Sequence, residues 1–125
     1  MGIEKQTRFP GVIDDDSLIG LYQEASLFVF PSRYEGFGLP VLEAMACGCP
    51  VISSNASSLP EVAGDAALLI DPSDVEGLAK AMQRVLSDPA LSADLRARGP
   101  IRAAQFTWDR TAREMVAVYG KVVKW

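Results

Sequence analysis

The chain has 125 residues, of which 49% are hydrophobic and 22% charged, with a formal net charge of −4. This usage is ordinary for a globular domain and argues against disorder, and the length fits one domain with a modest core. No Lys/Arg-rich run occurs, which speaks against nucleic acid and anionic membrane surfaces as partners. There is no histidine, so Ser-His-Asp and Cys-His catalysis and His-ligated metals are excluded.

The two cysteines, Cys47 and Cys49, are separated only by Gly48. That spacing is too tight for an ordinary disulfide and too poor in ligands for zinc. Reduced, buried thiols are expected, which points to a cytoplasmic protein. No apolar run approaches the ~18 residues of a membrane span. The first seven residues lack the apolar centre of a signal sequence.

In chain order, residues 8–13 read as a short strand. Asp14, Asp15 and Asp16 then offer capping oxygens to a helix carrying Leu18, Leu21, Tyr22 and Ala25 at helical spacing. Residues 27–30 form an apolar run ending at Pro31, the pattern of a buried strand. A Gly-rich loop, residues 34–38, leads to a helix beginning at Leu39 with Pro40 in its first turn and Gly48 as its left-handed stop. Residues 50–53 begin a second buried strand, 54–58 read as polar loop, and 66–70 form a third apolar run.

Ser73 and Glu76 match a capping box ahead of a helix with Val75, Leu78, Ala79, Met82, Val85 and Leu86 on one face. Pro89 and the Gly99-Pro100 pair bound another helix. Thr107 caps a last one, with Ala112, Met115, Val116, Tyr119 and Val123 as its apolar face and Trp108 and Tyr119 as core anchors. Alternating strands and helices predict an α/β fold: a parallel sheet with right-handed crossovers and helices on both faces. A complete doubly wound sheet has about five or six strands. The shortage here implies part of a larger layer with an exposed sheet edge.

The informative stretch is residues 32–50. A buried parallel strand ends at Phe30, and ligands of open α/β sheets bind beyond such carboxyl ends. Gly36 and Gly38 leave room for a ligand to approach backbone N–H groups, and the helix starting near Leu39 presents free amides and the positive end of its dipole. Glu35 precedes that helix. Glu43 lies one turn inside it, about 6 Å along the axis from Leu39. A phosphate at the helix start therefore has a carboxylate on each side, and carboxylates accept hydrogen bonds from vicinal hydroxyls. Phosphate flanked by polyol on both sides describes a nucleoside diphosphate sugar.

The spacing from Glu35 to Glu43 resembles the E-x7-E motif of retaining GT-B glycosyltransferases. The run Glu-Gly-Phe-Gly-Leu-Pro-Val-Leu-Glu-Ala-Met-Ala-Cys-Gly at 35–48 is similar to glycosyltransferase family 4 (group 1). The resemblance continues through Pro-Val-Ile at 50–52, Ser-Leu-Pro-Glu-Val at 58–62, Leu-Ile-Asp-Pro at 69–72 and Phe-Thr-Trp at 106–108, and covers nearly all of the chain from about Phe9. It implies a partial Rossmann-like sheet, with residues 1–125 forming an incomplete C-terminal part of a sugar-nucleotide-binding domain. It implies that Glu35 contacts donor-sugar hydroxyls at the reaction centre. The N–H groups of Gly36, Phe37 and Gly38 would hold that sugar, those of Gly38 and Leu39 would face the distal phosphate, and Glu43 would bind the ribose. Transfer would retain configuration without a metal or other cofactor. The family also uses an Arg and a Lys on the diphosphate and an acceptor-binding N-terminal domain, which have no counterpart here. The expected partners are therefore a nucleotide-diphosphate sugar and either the missing N-terminal portion or a self-associated copy.

Competing readings attach to particular residues. The sheet edge and an apolar face would equally suit a non-catalytic self-associating module. Asp14 to Asp16 would suit the magnesium pocket of a receiver-like signalling domain, although helix capping is the simpler use of them. Arg33 and Glu61 lie close enough to the motif to be considered, but solvent exposure accounts for Arg33 and a loop position for Glu61.

Overall fold

The structure, a computed structural model, describes residues 2–123. After a 3-10 turn at Glu4–Gln6, the elements run α1 (Asp15–Glu24), β1 (Phe28–Phe30), α2 (Leu39–Ala46), β2 (Val51–Ser54), α3 (Leu59–Ala63), β3 (Leu68–Ile70), α4 (Val75–Ser87), α5 (Pro89–Ala103) and α6 (Trp108–Val122). The three strands form one parallel sheet in the order β1-β2-β3. Val29 pairs with Ile52, and Ser53 with Leu69. The expected strand over residues 8–13 does not form. The Pro10-Gly11 turn dipeptide interrupts it, Gly11 has φ +71°, and Phe9 and Val12 stand in solvent with no neighbouring strand.

β2 is the fully buried centre, and its side chains alternate between two apolar layers. Val51 joins Tyr22, Val41, Ala44, Met45, Leu59 and Val62 in the layer built with α1, α2 and α3. Ile52 joins Val85 and Leu95, with Leu68, Leu78 and Met82 around them, in the layer built with α4 and α5. The sheet is thus covered on both faces, as a parallel sheet requires.

The helix starts follow local chemistry. The Asp14 carboxylate accepts from the Ser17 N–H at 2.7 Å and from its hydroxyl at 3.0 Å, so this acid caps α1. Thr107 caps α6 by accepting from the Arg110 N–H at 3.1 Å. The expected capping box at Ser73 is displaced by one residue. Asp74 accepts from the Gly77 N–H at 2.8 Å, while Glu76 pairs with Lys80 along the helix. The buried side of α4 is correspondingly Leu78, Ala81, Met82 and Val85, with Val75, Ala79 and Leu86 exposed.

Two larger corrections concern the C-terminal half. α5 does not stop at Gly99-Pro100 but runs through it, because Gly99 lets α5 approach α2 closely. A Cβ at Gly99 would lie 2.9 Å from the Met45 carbonyl oxygen. Among the described residues nothing covers the apolar face of α6: none of its residues is buried, Trp108 is 82% exposed, and Met115, Val116 and Tyr119 are also exposed. Trp108 and Tyr119 are therefore not core anchors. Among the described residues no helix is long and apolar enough to cross a membrane.

Candidate functional site

The site stands at the carboxyl ends of β1 and β2, where two loops meet. The first, between β1 and α2, carries Glu35, Gly36, Phe37 and Gly38. Gly38 is the N-cap of α2 in the left-handed region, at φ +100° and ψ 43°, and a Cβ there would lie 2.6 Å from Leu59 Cδ2. Only glycine combines that dihedral with that proximity. Gly36 is different: it has no positive φ, and a Cβ would meet nothing within 4 Å. The expected helix start at Leu39 is reproduced, with Pro40 in the first turn. Among the described residues, the N–H groups of Gly38 and Leu39 donate to no protein acceptor. They leave the positive end of α2 without a protein acceptor, the arrangement an anion completes.

The second loop follows β2, and its Ser57 and Ser58, together with Ser54 at the end of β2, hold the first loop. Ser57 Oγ accepts from the Glu35 N–H at 3.0 Å and donates to the Glu35 carbonyl at 3.1 Å. Ser58 Oγ donates to the carbonyls of Glu35 and Phe37, both at 3.0 Å. Ser54 Oγ donates to the Ser32 carbonyl. Ser57 is the one non-glycine among the described residues with positive φ, +49°, so backbone strain sits at this contact. None of these serines was singled out in the sequence. The available signal was a cluster of hydroxyls directly after a buried strand, at the edge where open sheets bind ligands.

Each carboxylate of the Glu35–Glu43 pair is held by a hydroxyl through one oxygen. Ser32 Oγ donates to Glu35 Oε1 at 3.0 Å, and the Tyr22 hydroxyl donates to Glu43 Oε2 at 3.3 Å. Glu35 is half-buried, whereas Glu43 is exposed on α2. The Tyr22 phenol is pushed up to about 12, first by burial and then by the charge of Glu43 and the hydrogen bond to it. It remains a donor across the physiological range. Glu43 also forms part of the wall of an open cleft of about 450 Å³ between α2 and the start of α6, with Phe37, Leu39, Leu42, Phe106 and Trp108. Phe37 packs edge-on against Phe106, 5.9 Å between centroids.

Other residues considered from sequence stand apart from this arrangement. Arg33 is exposed. Glu61 lies in the first turn of α3 rather than in a loop, and its backbone carbonyl accepts from Arg102. Cys47 and Cys49 are free thiols, Cys49 buried and Cys47 half-buried. Burial pushes the Cys49 thiol up, against the opposing pull of Arg96. Among the described residues no group of three or more His, Cys, Asp or Glu could hold a metal ion.

The parallel sheet with helices on both faces agrees with what known proteins show. The family profile described as "Glycosyl transferases group 1" matches residues 1–102. This chain belongs to that family. O-antigen chain mannosyltransferase B of Escherichia coli is 46% identical over 112 residues, which is 90% of this chain and 29% of that protein. Sucrose-phosphate synthase from Thermosynechococcus elongatus superposes with a TM-score of 0.84 at 39% identity, covering 96% of this chain and 31% of that one. The C-terminal domain of a group 1 glycosyl transferase, LpcC from Francisella tularensis, superposes with a TM-score of 0.73 at 33% identity, over 83% of this chain and 55% of that one. The group 1 chain thus has the fold of the Rossmann-like domain of GT-B proteins and spans less than a third of the length of the mannosyltransferase and the synthase.

Proposed function

We propose that this group 1 chain supplies part of the donor site for glycosyl transfer from a nucleotide-diphosphate sugar, with retention of configuration as in glycosyltransferase family 4. The observation that carries the reading is the placement of the Gly38 and Leu39 amides at the open end of α2, with Glu35 before them and Glu43 one turn beyond. In this reading the amides and helix dipole hold the distal phosphate and stabilise the charge that grows on the leaving diphosphate. Glu43 accepts from the ribose hydroxyls. Glu35 accepts from hydroxyls of the donor sugar, and the N–H groups of Gly36 and Phe37 hold the same sugar. The anomeric carbon–phosphate oxygen bond breaks as the acceptor oxygen bonds to that carbon from the same face. The acceptor proton passes to the departing phosphate oxygen. No metal or other cofactor is required for these steps.

Calorimetric titration of the chain with UDP, GDP and ADP tests the assignment. One of the three should bind, and Glu43→Gln should weaken it about tenfold or more, equivalent to ~1.4 kcal/mol. Equal affinity in the two proteins would remove Glu43 from the site. A second reading, a non-catalytic self-associating module, is favoured by one observation, the exposed apolar face of α6. A firm dimer by light scattering, with no affinity for any of the three diphosphates, would select it.

A further inference from the structure

Tyr22 lies thirteen residues ahead of the motif and is absorbed by none of the roles above, yet it touches the motif directly. The residue is 7% exposed, and its ring packs edge-on against Phe28, 5.2 Å between centroids at 88°. A phenylalanine would fill that apolar space equally well. The hydroxyl is the additional feature, and it ends on Glu43 Oε2. A buried phenol requires an acceptor, and the one present is a carboxylate from the neighbouring helix.

The consequence falls on Glu43. An exposed glutamate on a helix samples several rotamers and loses that freedom when it binds a ligand. The Tyr22 hydroxyl fixes one oxygen, and among the described residues Glu43 Oε1 is left without a protein partner. We propose that Tyr22 is a positioning residue that presets the Glu43 carboxylate, with one oxygen tethered and the other directed to the vicinal hydroxyls of a ribose. The inference rests on the ribose-binding reading of Glu43. Preorganisation of this kind improves affinity by lowering the ordering cost of binding, without a new contact to the ligand. The phenol, raised to about 12 by burial and then by Glu43, stays protonated and donating wherever binding is measured near neutral pH.

The test compares the full chain with its Tyr22→Phe and Glu43→Gln variants. Each is titrated with UDP, GDP and ADP and with the 2′,3′-dideoxy form of whichever diphosphate binds. A positioning role predicts that Tyr22→Phe weakens the ribonucleotide about three- to tenfold, the range of one hydrogen bond, and leaves the dideoxy form unchanged. It also predicts that Tyr22→Phe adds nothing further in a Glu43→Gln background. A merely structural role would weaken both ligands alike and overturn the inference. Unchanged ribonucleotide affinity in Tyr22→Phe, with a clear loss in Glu43→Gln, would overturn it while leaving the ribose reading intact. Loss of affinity in neither variant, or no binding at all, would overturn both.

A ligand-free measurement checks the contact itself. Tyrosine absorbance should show Tyr22 ionising at lower pH in Glu43→Gln than in the wild type. An unchanged Tyr22 titration would overturn the tether.

Discussion

Gly36 and Gly38 read alike in the sequence, as a pair that lets a ligand approach the backbone, but the molecule uses them differently. Gly38 holds a left-handed dihedral beneath Leu59, whereas Gly36 faces open space in an ordinary conformation. Gly38→Ala should therefore destabilise the fold by about 1–3 kcal/mol in a urea melt, through strain and overpacking. Gly36→Ala should leave the melt within ~0.5 kcal/mol, as a surface substitution does. If Gly36→Ala nevertheless weakens diphosphate-sugar binding, a ligand and not the fold requires that glycine. The Glu35–Glu43 spacing was legible because both lie on one continuous segment. The tethers on these carboxylates differ in reach. Ser32 is three residues from Glu35, but Tyr22 is 21 residues from Glu43, and Ser57, which holds the Glu35 backbone rather than its carboxylate, is 22 from Glu35. Contacts of that length depend on strand register and helix docking, which no local pattern encodes.

At the scale of elements, the start of α2, the caps of α1 and α6 and the three strands followed from local chemistry. At Gly99-Pro100, tertiary contact overrides a local signal. Gly99-Pro100 looks like a helix end, since Pro100 has no N–H for the Arg96 carbonyl. The helix continues because Gly99 admits the backbone of α2, and Arg96 clips the chain by donating to the carbonyls of Gly48 and Ala25, both at 3.1 Å. Gly99→Ala should push α5 off α2 and cost about 1–3 kcal/mol by urea unfolding. A neutral result would mean that the α2–α5 contact yields without cost. The capping box at Ser73 is displaced by one residue, because Asp74, an equally good capping residue, accepts from the Gly77 N–H and starts α4 in its place.

For the whole molecule, the α/β fold is legible because hydrophobic runs of strand length alternate with helical periodicity, and both faces of β2 are buried. The last helix shows the limit of such reasoning. An apolar stripe on α6 predicts a buried face, yet burial needs a surface to pack against, and α6 has none within residues 2–123. Its stability rests on its Thr107 cap and on local ion pairs such as Arg110–Glu114, which contribute little when exposed. Amide hydrogen exchange should thus be fastest among the helices in α6 and slowest in β2, with a wide gap between them. Comparable protection in the two would reveal that α6 is covered in solution, by another copy of the chain.

In the proposed function, Glu35, the Gly38 and Leu39 amides and Glu43 form one donor site. The most direct test is an NMR titration of the isotope-labelled chain with UDP-glucose, GDP-mannose and ADP-glucose. Saturable shifts confined to residues 35–43 and their serine supports with one of these donors, requiring about tenfold or more donor in Glu43→Gln, are the expected result. Shifts centred elsewhere, or none at millimolar donor, would mean that these groups do not form a donor site.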